Sequence, residues 1–370
     1  MVMVDTRRPP FGTQIAELDT PALLLDLDAL ERNIARMAAF FADKPASIRP
    51  HAKTHKCPQI ALRQMEAGAI GITCAKVSEA EVMAAAGIGD ILIANQVTGA
   101  TKIERLTELA ARCDLMVAVD DPENVQQLAG VCAAKGVMLR VLVEVDVGMG
   151  RCGTKPGRSA LSLACQVAAA SALQFEGLMG YEGHLVLVDD PDERARRVHA
   201  AFGPLAETLA LLERNGLPAK IVSGAGTGTY DITGTLPFVT EVQAGSYVFM
   251  DSTYGKVRAE FEPSLSLLST ILSRPVPERI VTDAGIKSLT REFGWPLPLD
   301  GVGLAVRHLS EEHGILDLAQ DGQFDGKPGD RIRFQPSHCC TTVNLHDWFY
   351  IVQDGKVVDV WAIAARGCSQ

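Results

Sequence analysis

No run of Lys and Arg in the sequence is longer than two residues, and the chain is acidic, with a formal net charge of −10 at pH 7 and a pI near 5.3. Without a basic face, nucleic acid and anionic membrane surfaces are poor partners. No apolar run approaches the roughly 18 residues that a membrane helix requires. The opening MVMVDTRRPP has no apolar signal segment. The nine cysteines are scattered singly except for Cys339 and Cys340 and show no framework spacing, which predicts a reducing cytoplasm. No internal repeat or low-complexity linker divides the chain. What is present is a 370-residue chain with 47% hydrophobic and 22% charged residues. That is enough for one large or two ordinary cores, with small molecules as the expected partners.

Short apolar, β-branched runs alternate with amphipathic segments along the first two thirds. The strand candidates are 22–26, 47–51, 70–74, 90–94, 114–119, 138–145, 175–181, 220–224 and 240–249. Between Asp28 and Phe41, the apolar Leu30, Ile34, Met37 and Phe41 recur at spacings of three and four, with Asp26 or Asp28 placed to cap the start. Further helices fit 57–67, 77–87, 101–111, 121–135, 158–170 and 192–215. About eight βα units with near-continuous apolar strands predict an α/β chain whose first domain is a parallel (β/α)8 barrel over residues 27–258. Nine candidates leave one strand over. From about 259 to 370 the helical periodicity fades into strand runs with Gly and Asp turns, DGKV reading as a hairpin, so a second, β-rich domain is expected there.

In such a barrel, chemistry sits on the loops that follow the strands. RPHAKTHK (49–56) puts one arginine, two histidines and two lysines at the end of the first barrel strand. A lysine there is either a solvated loop residue or a nucleophile that forms a Schiff base. SGAGTGTYD (223–231) and AGSYVFMD (244–251) place Gly-rich loops after the last two strands, where barrels commonly hold a phosphate against bare backbone N–H groups. A phosphate cradle opposite a strand-end lysine is what a pyridoxal phosphate enzyme needs. In PSHCC, His338 and Cys340 stand at i and i+2, on one face if the segment is a strand, which is a two-ligand chelate; the alternative is a buried thiol beside a hydrogen-bonded histidine. Cys339 between them would then face the other way.

RPHAKTHK, EVDVGMGRCG (144–153), GLMGYEGH (177–184), SGAGTGTY, QAGSYVFMD, TDAGIKS (282–288), SEEHGIL (310–316) and PSHCCTTVNLHDW (336–348) together resemble the D-threonine aldolase and D-serine dehydratase family, of the alanine-racemase-like fold type of pyridoxal phosphate enzymes. The likeness runs from LDTPALLLDLDALERNI to VDVWAIAARG with motif order kept. It implies that residues 1–26 join 259–370 in the β domain, which would absorb the surplus strand ALLLD. It further implies that Lys53 carries the cofactor, with Lys56 as the rival amine and Arg49, His51 and His55 as surroundings. Arg151 would face the cofactor's phenolic oxygen or the substrate carboxylate, and Tyr181 and His184 would flank the cofactor, His184 as base for the β-hydroxyl. Gly224, Gly226, Thr227, Gly228, Gly245, Ser246 and Tyr247 would bind the phosphate end. His338 and Cys340 would hold a divalent ion (zinc, manganese or magnesium), with His346 and Asp347 as outer partners. A thiolate favours zinc.

The function that the resemblance implies is retro-aldol cleavage of a D-β-hydroxy-α-amino acid, of D-threonine or 3-hydroxyaspartate type, to glycine and an aldehyde. The His-x-Cys pattern points instead to a dehydratase giving a keto acid and ammonia. An amino-acid racemase has no obvious task for a metal, and a non-catalytic pyridoxal phosphate carrier would lack the second domain. The fold type also implies a homodimer.

Overall fold

The computed structural model describes residues 9–370; the expectations for residues 1–8 lie outside the described residues. The chain forms two compact units, one of residues 35–53, 58–245 and 367–370, the other of 9–34, 54–57 and 246–366. Its crossings include those between Lys53 and Thr54 and between Gly245 and Ser246. Strand β1 (Ala22–Asp26) leads into helix α1 (Leu27–Phe41). Of the two acids placed to cap it, Asp26 does so, its Oδ1 accepting from Ala29 N at 2.9 Å.

The barrel unit contains eight strands, β2 (Ser47–Ile48), β3 (Ile72–Cys74), β4 (Asp90–Ile93), β5 (Asp114–Val119), β6 (Leu139–Glu144), β7 (Leu173–Gly180), β8 (Ile221–Gly224) and β9 (Glu241–Val242). Between them run α2 (Pro58–Glu66), α3 (Val77–Ala85), α4 (Ala100–Ala110), α5 (Pro122–Lys135), α6 (Arg158–Ala169), α7 (Pro191–Arg214) and the single turn α8 (Tyr230–Thr233). All strand pairs are parallel, in the order β2-β9-β8-β7-β6-β5-β4-β3. Ile70 N and Thr73 N donate to the carbonyls of Ile48 (3.0 Å) and Pro50 (2.8 Å), and His51 bridges Thr73 in parallel. These contacts join β2 to β3 and close the sheet into the expected (β/α)8 barrel. Only the first residue of β5 is exposed, as a strand covered on both faces requires.

Two strands are far shorter than expected. In 47–51 only Ser47–Ile48 is regular strand; Pro50 has no N–H to give, and the pairing beyond it is reduced to single bonds such as His51 N to the Ala244 carbonyl (3.2 Å). In 240–249 only Glu241–Val242 is strand, and residues 246–248 turn into a 3₁₀ helix.

The other unit is a mixed sheet of β1 with β10 (Leu265–Val276), β11 (Arg279–Thr282), β12 (Leu297–Pro298), β13 (Val302–Leu309), β14 (Gly314–Gln323), β15 (Arg331–Gln335), β16 (Trp348–Gln353) and β17 (Lys356–Ala362), with the short helix α9 (Cys339–Val343) before β16. The surplus strand β1 pairs antiparallel with β10 and parallel with β16. DGKV is the expected hairpin: Asp354 and Gly355 have φ of 49° and 74°, the left-handed pair that a two-residue turn demands. β13 escapes sequence reading because six of its eight residues are partly or fully exposed, which erases the alternating pattern. No helix among the described residues is long and apolar enough to cross a membrane.

Candidate active site

Lys53 sits in a 3₁₀ turn, Ala52–Thr54, just past the short strand β2. His51 is buried, and its Nδ1 accepts from Lys53 N at 3.4 Å, so the ring braces the turn that presents the amine. Arg49, expected beside the cofactor, is engaged in ion pairs. Its side chain, 2% exposed, donates to Glu241 Oε2 (3.0 Å) and Asp90 Oδ1 (2.6 Å) and lies where a Cβ on residue 71 would be, which is why Gly71 has none. Asp90 and Glu241 open β4 and β9, so Arg49 belongs to an ion-pair group at the N-terminal end of the barrel, opposite the end where chemistry is expected. His55, in the other unit, is fully buried with Nδ1 accepting from Cys57 N. Lys56 opens no helix; it holds a left-handed φ of 52°, and its carbonyl accepts from Ala365 N.

Within the barrel unit, Tyr181 gathers the expected groups. Lys53 Nζ stands 5.7 Å and the Arg151 guanidinium carbon 5.4 Å from its ring centroid, within cation–π range. Arg151 also lies 3.9 Å from Glu144, a buried carboxylate whose pKa burial raises against the opposing pull of Gln96 and Arg151. A Cβ on Gly226 would come within 3.4 Å of the Tyr181 hydroxyl and 3.2 Å of Val186, so glycine keeps a gap open beside the ring. Gly224 and Gly228 serve the loop differently: Cβ atoms there would strike the carbonyls of Gly180 (2.5 Å) and Val186 (1.8 Å). Thr227 is buried. An amine, a guanidinium, an aromatic ring and a loop without Cβ at its centre fit pyridoxal phosphate. Gly245 closes this unit, whereas Ser246 and Tyr247 belong to the other, Ser246 Oγ lying 3.9 Å from Cys340 Sγ and the buried Tyr247 ring 5.7 Å from that of Phe261.

His184 is largely exposed, its Nε2 3.6 Å from where a Cβ on Gly148 would stand. The partial desolvation it undergoes, helped by Arg197 and opposed by Asp146, lowers its pKa below the usual imidazole value, so the ring is neutral at pH 7. Glu182, which sequence reading passed over, is 0% exposed and accepts from Thr229 Oγ1 (2.6 Å), Thr233 Oγ1 and Ala225 N (3.3 Å). It thereby ties the loop 225–229 to the single turn α8. The signal was an acid inside the apolar motif GLMGYEGH.

PSHCC is not a strand. His338 is the residue before α9 and Cys340 lies in its first turn, so the two-residue spacing acts on a helix start. Cys339 consequently does not face away: one ligand atom from each of His338, Cys339 and Cys340 lies within 4.8 Å of the others. Burial opposes charge on His338, but Asp251 and Cys340 outweigh it, and its pKa is pushed up to about 10. Cys340 is held well below the ordinary thiol value by a hydrogen bond from Cys339 and, against the cost of burial, by His338 and Thr54; Cys339 is raised by burial and by the neighbouring thiolate. A histidine and a ready thiolate fit a soft divalent ion such as zinc. His346 and Asp347 are engaged elsewhere, His346 donating to the Ser288 carbonyl (2.8 Å) and Asp347 pairing with Arg366 (2.6 Å). The carboxylate behind His338 is Asp251, at 3.0 Å from Nδ1.

Residues 25–253 match the family described as "Alanine racemase, N-terminal domain", and residues 264–352 match "Putative serine dehydratase domain". The D-threonine aldolase of Arthrobacter sp. is 41% identical over 97% of this chain and 96% of its own length. The chain belongs to the D-threonine aldolase and D-serine dehydratase family of the alanine-racemase-like fold. Within this family, the 3-hydroxy-D-aspartate aldolase of Paracoccus denitrificans (strain Pd 1222) is 36% identical over 96% of this chain and 94% of its own. The D-threo-3-hydroxyaspartate dehydratase of Delftia sp. (strain HT23) stands further off, at 31% over 88% and 92%. The crystal structure of D-threonine aldolase from Filomicrobium marinum superposes with a TM-score of 0.94 at 42% identity, covering 98% of this chain and all of that one. Family and fold support pyridoxal phosphate as the cofactor.

Proposed function

We propose that this chain is a carbon–carbon lyase that cleaves a D-β-hydroxy-α-amino acid of D-threonine or 3-hydroxyaspartate type to glycine and an aldehyde, with pyridoxal phosphate on Lys53 and a divalent ion, zinc by its ligands, on His338 and Cys340. The observation that carries this is the gathering of Lys53, Arg151 and the Gly226 loop around Tyr181, in a chain that aligns over nearly its full length with aldolases. When bound, pyridoxal phosphate supplies an electron sink for Cα and the ion a Lewis acid for the β-oxygen. Lys53 would hold the cofactor through Nζ. The loop Gly224–Gly228, braced by Glu182, would take the phosphate together with Gly245. Arg151 presents its fork to the phenolic oxygen or to the substrate carboxylate.

His184 removes the β-hydroxyl proton; the Cα–Cβ bond breaks, the aldehyde leaves with its new C=O, and glycine's Cα is reprotonated. A base must be unprotonated to act, so kcat/KM should fall with decreasing pH through a value below the ordinary imidazole pKa. His184→Gln should lower kcat by about 10²–10⁴-fold and abolish that acid limb. A limb unchanged in the variant would remove this ring from the proton path. The enzyme is further read as a cytoplasmic homodimer.

His-x-Cys keeps a dehydratase as the second reading. Product analysis separates them: incubation with D-threonine, D-serine and D-3-hydroxyaspartate should yield glycine and an aldehyde from the first or the last. Keto acid and ammonia without glycine would sink the aldolase reading. The choice depends on which Cα bond stands perpendicular to the ring, hence on how the substrate carboxylate is held.

A further inference from the structure

We infer that Asp251 is the positioning residue of the metal centre, fixing His338 in the tautomer that carries its proton on Nδ1 and so leaves Nε2 for the ion. This rests on the reading that His338 and Cys340 hold that ion. Asp251 is 0% exposed and both its oxygens are committed. Oδ1 accepts from Thr253 N (3.1 Å) and Tyr254 N (2.8 Å), which fixes the carboxylate's orientation on the backbone. Oδ2 accepts from His338 Nδ1 (3.0 Å) and Cys339 N (3.0 Å), so one oxygen locks both the ring and the start of α9. The Phe293 ring, edge-on at 4.8 Å, restricts the imidazole from the side.

Four donors converge on this carboxylate, and an amide cannot serve them all. With its oxygen toward Thr253 and Tyr254, asparagine at 251 would turn its NH₂ toward His338 Nδ1, which must then accept, and the proton would move to Nε2. That is the ligand atom. Loss of such a partner behind a metal-bound histidine costs about 10–100-fold in metal affinity.

The test is zinc affinity of the cofactor-bearing protein, measured by competition with a chromophoric chelator. Asp251→Asn should weaken zinc about 10–100-fold with cofactor absorbance and near-UV circular dichroism unchanged. Unaltered zinc affinity would overturn the inference. The native protein offers a second measurement that does not require the variant to fold: in the long-range ¹H–¹⁵N spectrum of the zinc-loaded enzyme, the His338 signal, assigned by its loss in His338→Ala, should be that of the Nδ1–H tautomer. A proton on Nε2 would overturn it equally. Cys340→Ala distinguishes the premise: if it too leaves zinc affinity unaltered, the metal-centre reading fails; if it weakens zinc while Asp251→Asn does not, only the role of Asp251 fails.

Discussion

Lys53→Ala should abolish the visible absorbance of the purified protein and lower turnover by at least about 10⁴-fold, the scale of loss when a residue that acts covalently is removed. The native protein should be yellow from a Schiff base. The expected effect is large because on the proposed reading the amine would do two jobs: hold the cofactor, and exchange with the amino group of the substrate. No neighbour can replace it. Lys56 is three residues on, in a left-handed backbone conformation, with its carbonyl tied to Ala365 N, whereas Lys53 Nζ already stands over the Tyr181 ring. A yellow, active Lys53→Ala protein would move the cofactor to another lysine.

Removing the divalent ion should be nearly as costly and should differ in kind. Chelation, or Cys340→Ala, should lower turnover by about 10³-fold, corresponding to the several kcal/mol that a Lewis acid contributes at a developing oxyanion. Cofactor absorbance should persist, because on the proposed reading the ion that His338 and Cys340 would hold serves the substrate and not the lysine link. Cys340→Asp should retain glycine as product while shifting preference from zinc toward manganese or magnesium, as a hard oxygen replaces a soft thiolate. Full activity in a demonstrably metal-free sample would eliminate the Lewis acid and favour racemase chemistry.

Much of the architecture was legible because period carries it. The helices expected at 101–111, 121–135 and 192–215 appear as Ala100–Ala110, Pro122–Lys135 and Pro191–Arg214, and the DLMVAV strand is found residue for residue. The site was legible in composition but not in local conformation. The strand expected at 47–51 is only Ser47–Ile48, and Lys53 falls in a turn after it. With so little strand, spacing alone could not say that Arg49 lies at the ion-paired end of the barrel. CCTTV is rich in residues that favour strands, and only tertiary packing makes it a helix behind His338. Asp251 and Glu182 were within reach, each an acid embedded in an apolar motif, but their function depends on which backbone N–H groups and hydroxyls converge on them, and that is set by the fold.

Lys53 is the residue proposed to carry the cofactor. The direct measurement is borohydride reduction of the native enzyme, followed by proteolysis and mass mapping of the peptide that bears the reduced pyridoxyl group. The modification should fall on Lys53 in the peptide containing RPHAKTHK. A tag on Lys56, or on a lysine outside this segment, would contradict the site built around Tyr181.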